Sequence, residues 1–324
     1  MFTLLLCFFS APLQAAQKDK SCAPPVSTLR PVPAAKAGEF SIGTQNLERF
    51  FDDEPGGRGE VRSSEHYQQK LVQLAAQVVD VLRSPAVLAV QEAENIKVLE
   101  DLAAAISARQ GGIYRALLVE GNDYGGIDVG FLLRRDLEVV KVEALLKQRR
   151  LDRNALFDRP PLRLTLRLSS AKELELINVH LKSLRGSEDE TVAKKTARKR
   201  QRQAEVLAEW LSAELAMHPE KSLLVLGDFN ATPDVLGGVD VLGLLQASGL
   251  VDVDERLPPA EHYSYIHDCR GEALDHVLVS PALLPAVQAV AVSRGNAGAR
   301  KKAGAPAALR SSDHDGLVLY LRLP

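Results

Sequence analysis

Short apolar stretches recur along this chain, and most of them close on a polar side chain. Glu39-Phe40-Ser41-Ile42-Gly43-Thr44-Gln45-Asn46-Leu47 alternates apolar and polar, the period of a half-buried strand, and the pattern predicts a strand ending at Asn46. Val87-Leu88-Ala89-Val90 reads as a buried strand that delivers Gln91 and Glu92. Tyr114 to Val119 and Ile127 to Leu133 are further strands, the second with Asp128 near its start. Leu162 to Leu168 and Leu174 to Leu181 are predicted as neighbours joined by the Ser169-Ser170-Ala171-Lys172 turn, with His180 on the second. Leu223-Leu224-Val225-Leu226 runs into Gly227-Asp228-Phe229-Asn230. Ala273 to Val279 carries Asp275, and Ser311 to Leu319 carries Asp313 and His314.

Between these runs the period changes to that of a helix. From Tyr67 to Arg83, apolar residues recur at Leu71, Leu74, Ala75, Val78, Val79 and Leu82, and Ser84-Pro85 stops the segment. Asn95 is placed to open a second helix with Val98, Leu99, Leu102 and Ile106 on one side. A long amphipathic helix is expected from about Thr191 to Met217. Phe50 to Gly57 and Gly121 to Gly126 read as loop and turn. Helices and strands alternate, yet several neighbouring strands look like hairpins. That combination suits a layered α/β sandwich with mixed sheets better than a parallel sheet.

The polar strand ends are the unusual feature. On a strand, residues i and i+2 share a face, so Asp228 and Asn230 would point together with Phe229 opposite. A simple turn is the competing reading, since Gly, Asp and Asn favour turns. Taken singly, Asn46, Glu92, Asp128, His180, Asp275 or Asp313 could be a cap or an ion-paired structural group. Together, from distant segments, they are charges placed in runs that should be buried, which is costly unless they are paired or on a metal. One shared centre explains them better.

Composition narrows the setting. Of 324 residues, 46% are hydrophobic and 25% charged, enough for a substantial core. The net charge is -2, so a polyanion would be met by local basic patches rather than by bulk charge. The apolar run from Met1 to Phe9, followed by Ala11-Pro12-Leu13-Gln14-Ala15-Ala16, reads as a secretory signal peptide over residues 1–16, although a basic start is missing. Residues 17–37 form a Pro- and Ala-rich lead-in, and 38–324 one domain. A periplasmic or secreted protein without stable membrane insertion follows. After cleavage Cys22 and Cys269 remain, either as a disulfide or as separate thiols.

The segments Gln45-Asn46-Leu47-Glu48, Val90-Gln91-Glu92, Ile127-Asp128-Val129-Gly130, Asn178-Val179-His180-Leu181-Lys182-Ser183, Gly227-Asp228-Phe229-Asn230, Leu274-Asp275-His276-Val277 and Ser312-Asp313-His314-Asp315 resemble, in order, those of the endonuclease/exonuclease/phosphatase superfamily, the fold of deoxyribonuclease I. Asn46-Leu47-Glu48-Arg49-Phe50-Phe51 and the Arg159-Pro160-Pro161 turn are closest to exported bacterial members. The resemblance implies a four-layer sandwich of two mixed, mainly antiparallel β-sheets flanked by helices. It also implies hydrolysis of phosphate esters with a divalent metal, magnesium first, with manganese or calcium as alternatives. Glu92 is then expected to bind the metal, with Asn46 and Asp313 near it. Asp228 and Asn230 would hold the attacking water and the phosphate, and His314 would contact the phosphate with Asp275 fixing its ring. His180 with Asp128 is expected as a second such pair. Either histidine could serve as general acid. His276 should face away as packing, and Asp315 should be a turn or surface group.

Three basic features bear on the substrate: the band from Lys194 to Arg202, Arg300-Lys301-Lys302, and Arg159, which in relatives contacts the phosphate backbone. The first could equally be a solvated helix face. A monomeric nuclease acting on DNA, or RNA, leads. A phospholipid or phosphoinositide hydrolase of the same fold is the alternative, against which stands an aromatic content of 5%. A non-catalytic binding protein on the same scaffold is the third reading, and no protein partner is expected.

Overall fold

The apolar runs pair into two sheets in the structure, a computed structural model that describes residues 28–169, 172–184, 189–232, 239–299 and 310–323. The first half holds β1 (Phe40–Phe50), α1 (Ser64–Ala76), β2 (Val87–Ala93), α2 (Ile96–Ala108), β3 (Tyr114–Leu118), β4 (Asp128–Arg134) and β5 (Glu138–Ala144). Two short strands, β6 (Arg150–Leu151) and β7 (Asn154–Ala155), pair with each other and lead to β8 (Leu162–Ser169) and β9 (Lys172–His180). The long helix α3 (Glu190–Met217), β10 (Leu223–Asp228), α4 (Val241–Ala247) and β11 (Val251–Asp252) follow. The hairpin β12 (Tyr265–His267) with β13 (Arg270–Glu272) precedes β14 (Asp275–Val279), β15 (Val287–Val292) and β16 (Leu317–Leu321).

One sheet has the order β15-β16-β1-β2-β4-β3, the other β11-β14-β10-β9-β8-β5. Each contains one parallel pair, β1 with β2 and β9 with β10, and antiparallel neighbours elsewhere. The strands alternate, so each sheet has two apolar faces. Ile42, Val87, Ala89 and Phe131 meet Leu164, Leu176, Leu224 and Leu226 between the sheets. The outer face of the first sheet packs under Leu71, Leu74, Leu99 and Leu102 of α1 and α2. That of the second packs under Leu207, Leu211 and Leu245 of α3 and α4. The result is the four-layer mixed sandwich anticipated from the sequence.

Several elements depart from the periodicity. β1 does not stop at Asn46 but continues, irregularly, to Phe50. The first helix starts at Ser64, capped by Ser63, whose side chain accepts the His66 N–H. Its last turn, Gln77–Val81, is a π-helix, so the pattern out to Leu82 spans two helix types. β16 begins only at Leu317, which leaves Asp313 and His314 on a loop. Strands β5 and β15 were not evident in the sequence, because edge strands lack a continuous apolar face.

The proposed leader, Cys22, residues 17–27 of the lead-in, Ser170-Ala171 of the β8–β9 turn and Arg300-Lys301-Lys302 lie outside the described residues. Cys269, in the β12–β13 turn, is disulfide-bonded. Among the described residues, no helix is long and apolar enough to cross a membrane.

Candidate functional site

Each parallel pair needs a crossover, α1 in one sheet and α3 in the other, and the two strands of a pair then end at the same edge. Register does the rest in the second sheet. Asp228 lies directly opposite His180 on β9 and opposite Asp275 on β14, so these side chains form one row. In the first sheet Asn46 pairs with Gln91, and a bulge follows on both strands. Glu92 is the extra residue, with φ +62, and Glu48 and Arg49 across from it also have positive φ. Non-glycine residues there are strained and must be held by their surroundings. The Arg49 N–H donates to Glu92 Oε2 at 2.8 Å, which fixes the bulge and re-aims the carboxylate.

The two sheets meet through Asn46. Its Nδ2 donates to Glu92 Oε1 at 3.2 Å and to Asp228 Oδ2 at 3.1 Å, while its Oδ1 accepts the Glu48 N–H. His180 Nε2 lies 3.5 Å from Asp228 Oδ2 and 3.9 Å from Glu92 Oε1. His314 Nδ1 hydrogen-bonds Asp275 Oδ2 at 2.6 Å, and its Nε2 is 4.0 Å from Asp228 Oδ2. Asn230, with φ +49, donates its N–H to Asp228 Oδ1 and its side-chain amide to the Leu181 carbonyl. Thus Asn46, Glu92, His180, Asp228, Asn230, Asp275 and His314 are brought together. Asp313, beside His314, has its pKa raised by burial first and then by Glu48 and Glu92, while the His314 charge opposes.

The electrostatics separate the histidines. Burial pushes His180 well below its ordinary pKa, and Arg159, His314 and Lys182 push the same way. Burial opposes a charge on His314 as well. There, however, Asp275, Asp228 and Asp313 outweigh it and raise the pKa well above the usual value. Asp228 is pushed up to about 7 by burial, with the His314 charge opposing and Asp275 and Glu92 reinforcing. One neutral imidazole, one imidazolium and one carboxylate poised near neutrality therefore share a site.

Two expected roles change. Asp128 does not orient His180, whose Nδ1 is buried without a partner. Asp128 Oδ1 instead accepts the Gly121 N–H, and burial plus the Glu120 charge push its pKa up to about 7. Arg159 is 6% exposed, and its guanidinium is engaged by Asp123 and by the carbonyls of His180 and Leu181. It holds the end of β9 in place rather than facing a phosphate. Asp315 is no surface group: it is buried on Arg294 and on the N–H groups of Asn296 and Ala297. His276 faces away from Asp275 as expected, into a buried polar cluster with Asp252 and Asp254.

Other positioning residues carried no sequence signal beyond their motifs. Asn178, fully buried in β9, donates to the carbonyls of Val90 and Gly130 in the opposite sheet and accepts from Gln91 Nε2 at 2.7 Å. Gln77, in the π-helical turn, donates to Gln45, which donates to the carbonyls of His314 and Asn46. Ser312 Oγ donates to the Asn46 carbonyl, and the Tyr265 ring lies 5.0 Å from that of His314. Within the basic band, Arg200 is buried and donates to the Lys182 carbonyl, while Lys199 pairs with Asp158. Lys194, Lys195 and Arg198 are exposed.

The donor set fits a hard cation. Glu92 Oε1 and Asp228 Oδ2 converge on one amide, and the Glu92 side chain keeps 20% exposure. With Asn46 and Asp313 beside it, Glu92 is placed to hold such an ion where solvent and an ester can reach it.

The model of the Endonuclease/Exonuclease/phosphatase family matches residues 43–288, well over half of the chain. No curated protein matches it. Among solved structures, truncated Caenorhabditis elegans TDP2 superposes with TM-score 0.57 at 16% identity, over 87% of this chain and 97% of that one. D. rerio TDP2 complexed with single-strand DNA product gives 0.56 at 18% identity, over 87% and 98%. An endonuclease/exonuclease/phosphatase from Bacteroides vulgatus gives 0.56 at 15%, over 88% and 99%. At such identities the likeness is one of fold.

Proposed function

The chain belongs to the endonuclease/exonuclease/phosphatase family, and on that premise we propose that it is an exported, divalent-metal-dependent nuclease hydrolysing phosphodiester bonds in DNA. The observation that carries this reading is the meeting of Asn46 and Glu92 from one sheet with His180, Asp228 and Asp275 from the other, closed by His314. The single-strand DNA product bound by one structural neighbour supports a nucleic acid over a lipid. Exposed Lys195 supplies local positive charge on α3, where Lys194 and Arg198 are paired with Glu190 and Asp152.

In this reading Glu92 and Asp313 would hold the ion, magnesium by its preference for oxygen ligands, and Asn46, expected as a ligand, instead positions the Glu92 carboxylate through its Nδ2. When bound it neutralises charge on the phosphoryl oxygens. Asp228, near neutrality, takes the proton of the attacking water, and Asn230 beside it orients the phosphate. His314, charged through Asp275, faces the phosphate and stabilises the charge that develops there. Neutral His180 presents Nε2, 3.5 Å from Asp228 Oδ2, on the side where the ester would lie. The protein acts as a monomer, and residues 1–16 direct export.

Purified protein incubated with plasmid DNA and magnesium should nick it, and EDTA should stop the reaction. Intact plasmid together with release of phosphocholine or inorganic phosphate from lipids would transfer the site to the lipid reading. Turnover of neither substrate would leave a binding protein. Periplasmic fractionation with N-terminal sequencing checks export, and a start at Met1 in cytosolic protein would refute it.

A further inference from the structure

We propose that Asp252, Asp254 and His276 form a second, structural metal site, built for one tetrahedral ion of the zinc class and separate from the catalytic centre. His276 projects from β14, Asp252 ends β11, and Asp254 opens the short turn that follows. Their side chains are 0%, 3% and 0% exposed, and their ligand atoms lie within 4.8 Å of one another.

Hydrogen bonding fixes the imidazole. Nε2 sits 3.0 Å from the Ala231 carbonyl and 2.8 Å from that of Ala273. Both are acceptors, so Nε2 carries a hydrogen, and Nδ1 is the nitrogen turned to the carboxylates. Metal-bound histidines are held in this way, the second ring nitrogen donating to a backbone carbonyl. Nδ1 is 3.5 Å from Asp252 Oδ2 and 3.4 Å from Asp254 Oδ2, and it has no hydrogen-bond partner. Asp254 Oδ1 has none either.

Those separations are longer than an N–H···O hydrogen bond. Where an imidazole truly donates to an aspartate here, at His314 and Asp275, the distance is 2.6 Å. Two ligand atoms on a tetrahedral ion, each about 2.0–2.1 Å from it, lie about 3.4 Å apart. The His276 distances match the second geometry. Charge is compatible: with the imidazole neutral, two buried carboxylates carry two negative charges that a divalent ion cancels, in place of the protons that Asp254, pushed up to about 7 by burial, and His276, whose burial the two aspartates outweigh, otherwise take up. The carboxylates are also pre-oriented, since Asp252 Oδ1 accepts the Asp254 N–H and Asp254 Oδ2 the Val277 N–H. His262 adds an unused buried nitrogen, Nε2, with its ring 6.3 Å from that of His276. Through the Ala231 carbonyl the ion would stiffen the loop that follows Asn230.

The test uses the full chain, loaded with Zn²⁺ and dialysed against excess Mg²⁺ so that magnesium fills the catalytic centre. One equivalent of zinc should remain in the wild type and in Glu92→Gln, and Asp252→Asn/Asp254→Asn should lose it. Loading with Co²⁺ should give the intense absorption of a tetrahedral site, unchanged by Mg²⁺ and abolished by Zn²⁺, and Zn²⁺ should raise the wild-type melting temperature. If the aspartate variant does not fold, retention of one zinc and of the tetrahedral cobalt spectrum in Asp228→Asn/His314→Ala, which removes the other His–Asp cluster, decides, and their loss there would overturn the site. Zinc lost from Glu92→Gln, an octahedral cobalt spectrum, or no retained metal would overturn the site. None of these readouts depends on nuclease activity, so the proposed function stands or falls separately.

Discussion

His314 and Asp228 show how much a single environment changes a side chain. Burial acts on both, yet one is driven to hold its proton and the other to exchange it near neutral pH. Replacing either, as His314→Ala or Asp228→Asn, should cut kcat by at least about 10³, roughly 4 kcal/mol of barrier, with circular dichroism unchanged. Asp275→Asn removes a main source of the raised His314 pKa. The imidazolium is then lost at lower pH, and the alkaline limb of the kcat/KM profile should move towards acid. An unmoved limb would show that another group controls it.

Asp128 gives a stability prediction at the same scale. The folded protein keeps its proton up to about pH 7, whereas an ordinary aspartate carboxyl releases it at 3.8. This group's contribution is therefore greatest below pH 3.8 and is lost as pH rises through 7. Asp128→Asn keeps the acceptor for the Gly121 N–H and removes the titration. Its stability relative to wild type should rise between about pH 4 and pH 7, by a few kcal/mol at most, and level off above pH 7. A parallel pair of curves would contradict the assignment.

At the scale of elements, strand ends and bulges do the positioning. Gly227 in β10 has φ +132, and a Cβ there would lie 2.2 Å from the Val179 carbonyl of β9. Gly227→Ala should force the parallel pair apart, costing about 3 kcal/mol or more, and misplace Asp228, so stability and kcat fall together. Helix α3 matters through its buried side rather than its charge. Gln203 accepts the Lys182 N–H and Arg200 donates to the Lys182 carbonyl, which clamps the segment just after His180. The apolar period of that helix is plain in the sequence. That one basic residue of its charged band is a buried clamp is not, because a run of Lys and Arg looks alike whether it faces water or a carbonyl.

For the whole molecule, the question is what keeps two sheets in one relative position at their shared edge. The apolar face between them is non-directional, and Leu on Leu tolerates sliding. Asn178 is directional: it ties β9 to β2 and β4 by three buried hydrogen bonds around one side chain. Asn178→Ala should cost about 3–5 kcal/mol, because the Val90 and Gly130 carbonyls and Gln91 lose a partner in the core. Activity should fall further than the residual stability explains, since Asn46 must span both sheets.

Sequence alone determined the layered architecture and the roster of polar strand ends, because both follow from local rules: the periods of helix and strand, and the cost of burying charge. It placed Asn46, Glu92, His180, Asp228, Asn230, Asp275 and His314 as candidates for one centre. It could not decide who touches whom. That His180 turns to Asp228 rather than Asp128, that Arg159 is consumed by carbonyls, that Asp315 is interior and that His276 faces two aspartates are settled by register, by a bulge at Glu92 and by the packing of one sheet on another. These are relations between residues far apart in the chain, and a pairing distance exists only once both partners have been folded into place.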